Sequence, residues 1–172
     1  MKKVCWQDVI EEHGPLVWKV AYRLLGNEAD AADCFQDVFL AAVKISRTER
    51  IRNVAALMVR LATTRAIDRL RQRGRQDRLM QTTECLSPHT KPTPVQAAQQ
   101  QEMLEALRRA LAQLPRTQAE AFCLKHFQSM TQKQIGQALG ITGNAAGVLV
   151  PRARARLEIL LTPMIDSLCE VH

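Results

Sequence analysis

No stretch of this 172-residue chain approaches the roughly 20 consecutive apolar residues of a membrane helix, and the opening MKKVCWQDVIEEHG carries acids where a signal peptide needs an apolar run. Both absences lead us to expect a cytoplasmic protein without membrane insertion. No C-x-x-C spacing occurs among the five cysteines, Cys5, Cys34, Cys85, Cys123 and Cys169, and their odd number and scatter suit reduced thiols. Cys123 and His126 can share a helix face, but two residues without further ligands do not make a metal site, and a buried cysteine serving as a small hydrophobe is the expected state. A glycine-rich phosphate loop is missing, as is any pairing of nucleophile and base. An enzymatic reading therefore has least support, and no cofactor is implied. Disorder is excluded too, because 47% hydrophobic content is enough for ordinary cores.

Charge is what the chain has, and it is unevenly spread. Residues 1–43 are net −3, residues 44–78 net +8 with eleven Lys/Arg against three Asp/Glu, residues 79–115 neutral, and residues 116–172 net +2. One window holds the whole basic excess, where it can form a patch that attracts polyanions such as a phosphate backbone. A charge run by itself is most often only a solvated face.

Within residues 1–78, Leu16, Val17, Val20, Ala21, Leu24 and Leu25 recur at helical spacing and Gly26 is placed to end that helix in the left-handed conformation. Asn27 can cap the next helix, with Glu28 and Asp30 in its first turn. Ala32, Phe35, Phe39 and Ala42 then form an apolar stripe, while Asp30, Asp33 and Asp37 line another face beside Gln36. KISRTERIRN, residues 44–53, breaks the pattern and reads as a loop. A third helix starts near Asn53 or Val54. Its apolar residues change face midway, from Val54, Leu57, Met58 and Leu61 to Ala66, Ile67 and Leu70, so the second half is expected to project with its arginines. Arg60, Thr64, Arg71 and Arg75 fall within about a sixth of the helix circumference, a polar face suited to a nucleic-acid groove or backbone. Asp68, close by, either reads a base amino group or holds neighbouring arginines in place.

DAADCFQDVFLAAVK, a short loop and LMVRLATTRAIDRLRQRGR, in that order, resemble region 2 of the bacterial extracytoplasmic-function sigma factors, small alternative specificity subunits of RNA polymerase. The resemblance implies that the stretch around Asp30, Asp33, Gln36, Asp37 and Leu40 docks on the clamp helices of the largest polymerase subunit. It also implies that Arg60, Thr64, Arg65, Asp68, Arg71 and Arg75 bind the minus-ten promoter element, with the preceding loop, carrying Arg47 and Arg52, holding a flipped base. Two positions depart from the family pattern: Leu57 stands where Trp is frequent and Thr64 where Asn is frequent.

LMQTTECLSPHTKPTP, residues 79–94, lacks periodicity and holds Pro88, Pro92 and Pro94, so it reads as an extended, mobile connector. After it, Leu104, Leu107, Leu111 and Leu114 mark an amphipathic helix closed by Pro115, which opens the next helix. Ala119, Phe122 and Cys123 carry that helix to about Phe127. Thr131-Gln132-Lys133-Gln134 is a capping box, Gly140 sits at a sharp turn, and Thr142 can cap a further helix, the layout of a helix-turn-helix. LRRALAQLPRTQAEAFCLKHFQSMTQKQIGQALGIT with RARARL after it resembles region 4 of the same sigma factors. That implies minus-35 contacts from Thr131, Lys133, Thr142, Asn144, Ala145, Val148, Leu149, Arg152 and Arg154, and a seat on the flap of the second polymerase subunit.

The recognition helix has an unusual composition. Ala145, Ala146, Gly147, Val148, Leu149 and Val150 supply contacts for thymine methyls and none for bidentate bonds to guanine or adenine. Pro151 is expected to kink or break the helix near residues 147–151, and Pro163 to interrupt it again, leaving Met164, Ile165, Leu168 and Cys169 as a short amphipathic turn. Arg152, Arg154 and Arg156 lie beyond the first proline and suit phosphates. Weak minus-35 readout follows. The resemblance implies an all-α chain of two small helical domains, a region 2 bundle over 1–78 and a region 4 helix-turn-helix over 95–172, joined by a flexible linker over 79–94. Its partners would be core polymerase, promoter DNA and an anti-sigma factor. Two alternatives remain: a sigma-like chain that occupies polymerase or an anti-sigma factor but initiates poorly, and an autonomous helix-turn-helix repressor.

Overall fold

A computed structural model describes residues 5–51, 53–80 and 95–169, and every element in them is a helix: α1 (Trp6–Leu25), α2 (Glu28–Thr48), α3 (Val54–Met80), α4 (Val95–Gln113), α5 (Arg116–His126), α6 (Gln132–Leu139) and α7 (Gly143–Cys169). Local chemistry sets most of their ends. Gly26 takes φ 78° and closes α1, and Asn27 Oδ1 accepts from the Asp30 amide at 2.8 Å to open α2. Asn53 Oδ1 accepts from the Ala56 amide at 2.9 Å at the start of α3. Thr131 and Gln134 form the reciprocal capping box of α6, Gly140 ends it at φ 69°, and Thr142 Oγ1 accepts from the Ala145 amide to open α7.

Other boundaries differ from the sequence reading. Residues 44–48 are the last turn of α2 instead of loop, because Ile45 packs against the core and Ser46 and Thr48 return their hydroxyls to the carbonyls three residues back. The α2 stripe is centred on Ala31, Cys34, Val38 and Ala42, with Phe35 at its margin. No break occurs in α7, which runs through both Pro151 and Pro163. Proline in a helix interior costs roughly 3 kcal/mol. Ala146 on one side of Pro151 and Ala153 and Leu157 on the other are buried, so packing pins the helix across the lost hydrogen bond. The first two residues of the connector read over 79–94 are the end of α3, and the rest of it, 81–94, lies outside the described residues, as does Arg52.

The largest difference concerns α3. Its second half does not project: Ala66 and Ile67 are fully buried and Leu70 nearly so. The change of apolar face along this helix has a physical reason, since one face packs on α1 and α2 and the other on α4, α5 and α6. Val59 joins Ala121, Leu124, Ile135 and Ala146 in the core of the second module, while Leu111, Leu114 and Leu157 join the core of the first. Each such leucine buried contributes about 1.5–3 kcal/mol. The two modules thus share a continuous apolar interior, with α3 as its spine.

Cys34 and Cys123 are buried in that interior, and Cys123 is turned inward from an exposed His126 on the same helix. Burial pushes the Cys34 thiol up to about 11 and the Cys123 thiol up as well, the Glu120 carboxylate adding to the second. Iodoacetamide at mildly alkaline pH is expected to label the exposed Cys5 in the native chain while Cys34 and Cys123 react only in denaturant, which peptide mass spectrometry reads directly. Labelling of Cys34 at the rate of Cys5 would contradict the packing of α2 on α3.

Candidate nucleic-acid interface

The acidic face of α2 and the basic helix α3 are neighbours, and much of their charge is spent on each other. Arg69 reaches Asp37 at 2.7 Å and Asp33 at 3.4 Å, and Arg73 pairs with Asp30 while donating to the Leu25 carbonyl at 3.2 Å. Asp33 and Asp37 nevertheless keep 64% and 48% of their side-chain surface, so they still face solvent. Asp30 is more enclosed and serves the α1–α2 corner, which removes it from the free acidic face read in the sequence. Gln36 and Leu40 are exposed, and Leu40, 61% exposed, lines an open cleft of about 390 Å³ with Asp37, Lys44, Ile45, Leu61 and Arg65. Arg65 therefore opens toward the α2 cleft and not toward the Arg60 face.

That polar face of α3 is only partly accessible. Arg75 is exposed, Arg60 and Thr64 are half-buried, and Arg47 is exposed at the end of α2. Arg71 instead donates to the carbonyl of Leu114 at the end of α4. Asp68 pairs with Arg116 of α5 at 3.1 Å, so it holds an arginine in place, one from the other module and not one of its own helix.

A reciprocal contact is made at the far end of the same interface. Arg108 of α4, 8% exposed, donates to the carbonyls of Leu24 at 3.0 Å and Arg23 at 3.4 Å and pairs with Glu105 at 2.6 Å. It thereby satisfies the orphan carbonyls at the end of α1, where the helix dipole favours a cation. Gly26 leaves room for it, since a Cβ there would lie 2.5 Å from the guanidinium carbon. Arg23 in turn sits 4.6 Å from the centroid of the Phe127 ring. Sequence reasoning missed Arg108 and Arg116; the available signal was a charged residue, Arg108, standing within the leucine stripe of α4.

In the helix-turn-helix, Gly136 lets α6 approach the turn closely, and the Ile141 amide donates to its carbonyl at 2.9 Å. Thr131, Lys133, Thr142, Asn144 and Ala145 are exposed, as are Arg152 and Arg154. Val148 is 48% exposed, whereas Leu149 is half-buried and packs against the cluster that holds Ile135 and Ala146. Arg154 is paired with Glu158 at 2.9 Å. Among the described residues no group of three His, Cys, Asp or Glu is placed to hold a metal ion, and no helix is long and apolar enough to cross a membrane.

The family model for sigma-70 region 2 matches residues 9–76, and that for sigma-70 region 4 matches residues 104–157. The chain is similar to the ECF RNA polymerase sigma factor SigE of Mycolicibacterium smegmatis, 26% identical over 155 residues that cover 89% of this chain and 60% of that protein. It is also similar to the ECF RNA polymerase sigma factor SigW of Bacillus subtilis, 24% identical over 160 residues, 88% of this chain and 86% of that one. The fold is that of the sigma factor RpoE solved in complex with the anti-sigma factor NepR from Bartonella quintana, at TM-score 0.56 and 21% identity over 91% of this chain and 96% of that one. CnrH, solved in complex with the cytosolic domain of CnrY, matches at TM-score 0.57 and 22% identity over 91% and 87%.

Proposed function

The chain belongs to the sigma-70 family, in its extracytoplasmic-function group, and on that premise we propose that it binds core RNA polymerase and directs promoter recognition, minus-ten melting and transcription initiation. The observation that carries this reading is the order of parts: an acidic, leucine-bearing α2 face, a basic α3 and a helix-turn-helix, each in the segment that the matching family region covers. Residues 1–78 form the docking and minus-ten module, 79–94 the linker and 95–172 the minus-35 module. Asp33, Gln36, Asp37 and Leu40 meet the clamp helices, and the second module seats on the flap. Arg47, Arg60, Thr64 and Arg75, with Arg71 and Asp68 once freed, meet the minus-ten strand. Asn144, Ala145, Val148 and Arg152 face the minus-35 duplex. The chain performs no reaction of its own; RNA synthesis belongs to the polymerase, in the cytoplasm. Regulation by an anti-sigma partner fits the same reading.

Transcription of fragmented host genomic DNA by bacterial core polymerase, with and without the purified chain, tests this by sequencing transcript 5′ ends. Discrete new starts that share an upstream motif are expected. Core binding without new starts would replace the proposal with a polymerase-occupying interaction protein, the reading that the apolar outer face of α7 favours. At a promoter so found, scrambling the minus-35 sequence is expected to reduce initiation less than scrambling minus-ten. The exposed surface of the first α7 turns offers Asn144 but otherwise small and apolar side chains, so few bases there can be read by bidentate bonds. An equal or larger loss upstream would refute that account of α7.

A further inference from the structure

The helix that opens at Gly143 has no side chain at Gly147, and a residue of the preceding helix fills the gap. A Cβ at Gly147 would lie 3.2 Å from the Cδ, the Nε2 and the Oε1 of Gln132 alike. Equal distances to all three atoms mean that the carboxamide lays its flat face on Gly147. Its edge, with both donor and acceptor, is left over. Gln132 opens α6, yet the capping box there is closed by Thr131 and Gln134. Gln132 is exposed, and no hydrogen bond among the described residues engages its amide. Gly147 stands one turn beyond Asn144 and one turn before Pro151, on the flank of the exposed strip of Asn144, Val148 and Arg152.

We infer that Gln132, from the first helix of the helix-turn-helix, reads an adenine of the minus-35 element, and that Gly147 positions it. The inference rests on the reading above that the start of α7 faces the minus-35 duplex. A free carboxamide edge pairs bidentately with N6 and N7 of adenine, which no side chain of residues 145–150 can do. Phosphates are met by charged groups, and the exposed Lys133 and Arg152 supply those. An uncharged amide laid on the helix that enters the groove is suited to a base edge instead. Packing on Gly147 also restricts the glutamine before DNA arrives, which lowers the entropy lost on binding. A branched side chain at 147 would take the place of the amide.

Holoenzyme made from core polymerase and the full chain tests this on a promoter library. Its minus-ten element is fixed from the mapped starts, its upstream element is randomised, and each template carries a transcribed barcode. The unaltered chain should prefer adenine at one base pair of the upstream element by at least about fivefold. Gln132→Ala should level that preference and leave the others. Gln132→Glu should move it to cytosine, whose N4 donates to a carboxylate. Position 132 is exposed and outside the capping box, and a glutamate there suits the helix dipole, so both variants keep the fold. Gly147→Val should level the same base pair as Gln132→Ala. An adenine preference that survives both Gln132 variants would overturn the inference, and so would a loss spread evenly over all sequences, the mark of a phosphate contact. Its survival in Gly147→Val would overturn the positioning by glycine. If the unaltered chain shows no upstream preference at all, the minus-35 reading of α7 falls together with the inference.

Discussion

Gly136→Ala is expected to lower the stability of the chain by about 2 kcal/mol, the cost of forcing a methyl into a filled site. Helix propensity alone makes the opposite prediction, because alanine in a helix interior is favoured over glycine by about 1 kcal/mol. The geometry decides between them. A Cβ at Gly136 would lie 2.8 Å from the Ile141 carbonyl oxygen, 2.9 Å from the Gly143 amide nitrogen and 3.0 Å from the Thr142 carbonyl carbon. All three are backbone atoms of the turn, so no side chain can rotate out of the way. The turn must retreat, and with it go the Ile141 hydrogen bond to the Gly136 carbonyl and the seating of Ile135 against Ala146. Thermal denaturation should show a midpoint about 4–8 °C lower for a chain of this size. Gly74→Ala is the matched comparison: its Cβ would meet only Ala112 at ordinary contact distance, so the same substitution is expected to stabilise by up to about 1 kcal/mol. A stabilised Gly136→Ala would mean that α6 and the turn are held less closely than described.

These two glycines illustrate which parts of the molecule are legible in the chain. Helix ends written in local chemistry read correctly from sequence: the Asn27 cap, the Thr131–Gln134 box, the Thr142 cap, and Gly26 and Gly140 at positive φ. Each depends on residues at most four apart. Contacts made between modules are not legible in that way, because nothing in the spacing of Arg71, Asp68, Arg108 and Arg116 couples residues 43 to 85 positions apart. The periodicity of α3 did carry a trace of them. Two apolar faces on one helix imply two partners, and expecting the second half to project left Ala66, Ile67 and Leu70 without one. Pro151 misled in a related way, since its local cost is real but is outweighed by the buried residues that fix α7 on either side. In the candidate site, the residue types were legible while their pairings were not: Asp30, Asp33 and Asp37 of α2 are paired with Arg69 and Arg73 of α3 before any partner arrives.

Reversing the charge at Asp33 and Asp37 together is expected to weaken binding to core polymerase by more than about a hundredfold, which corresponds to about 2.7 kcal/mol, and to leave the fold intact. Both carboxylates are substantially exposed, so their pairs with Arg69 are surface salt bridges contributing at most about 1 kcal/mol each. The buried stripe of α2, Ala31, Cys34, Val38 and Ala42, is untouched by the change. Losing a binding partner is a larger effect than losing these pairs, because a reversed charge in a docked interface adds repulsion to the lost attraction. Exposed Leu40 beside Asp37 offers an apolar anchor at the same cleft, so the reversal strikes the edge of a packed contact. Anisotropy of the labelled chain titrated with core enzyme measures the loss, and helicity and melting temperature measure the fold. Asp33→Asn with Asp37→Asn removes the attraction without the repulsion and should fall between the two. Unchanged affinity in the reversed chain, with Arg69 deprived of both partners, would mean that these carboxylates serve to hold α2 against α3, and that polymerase meets a different face of the molecule.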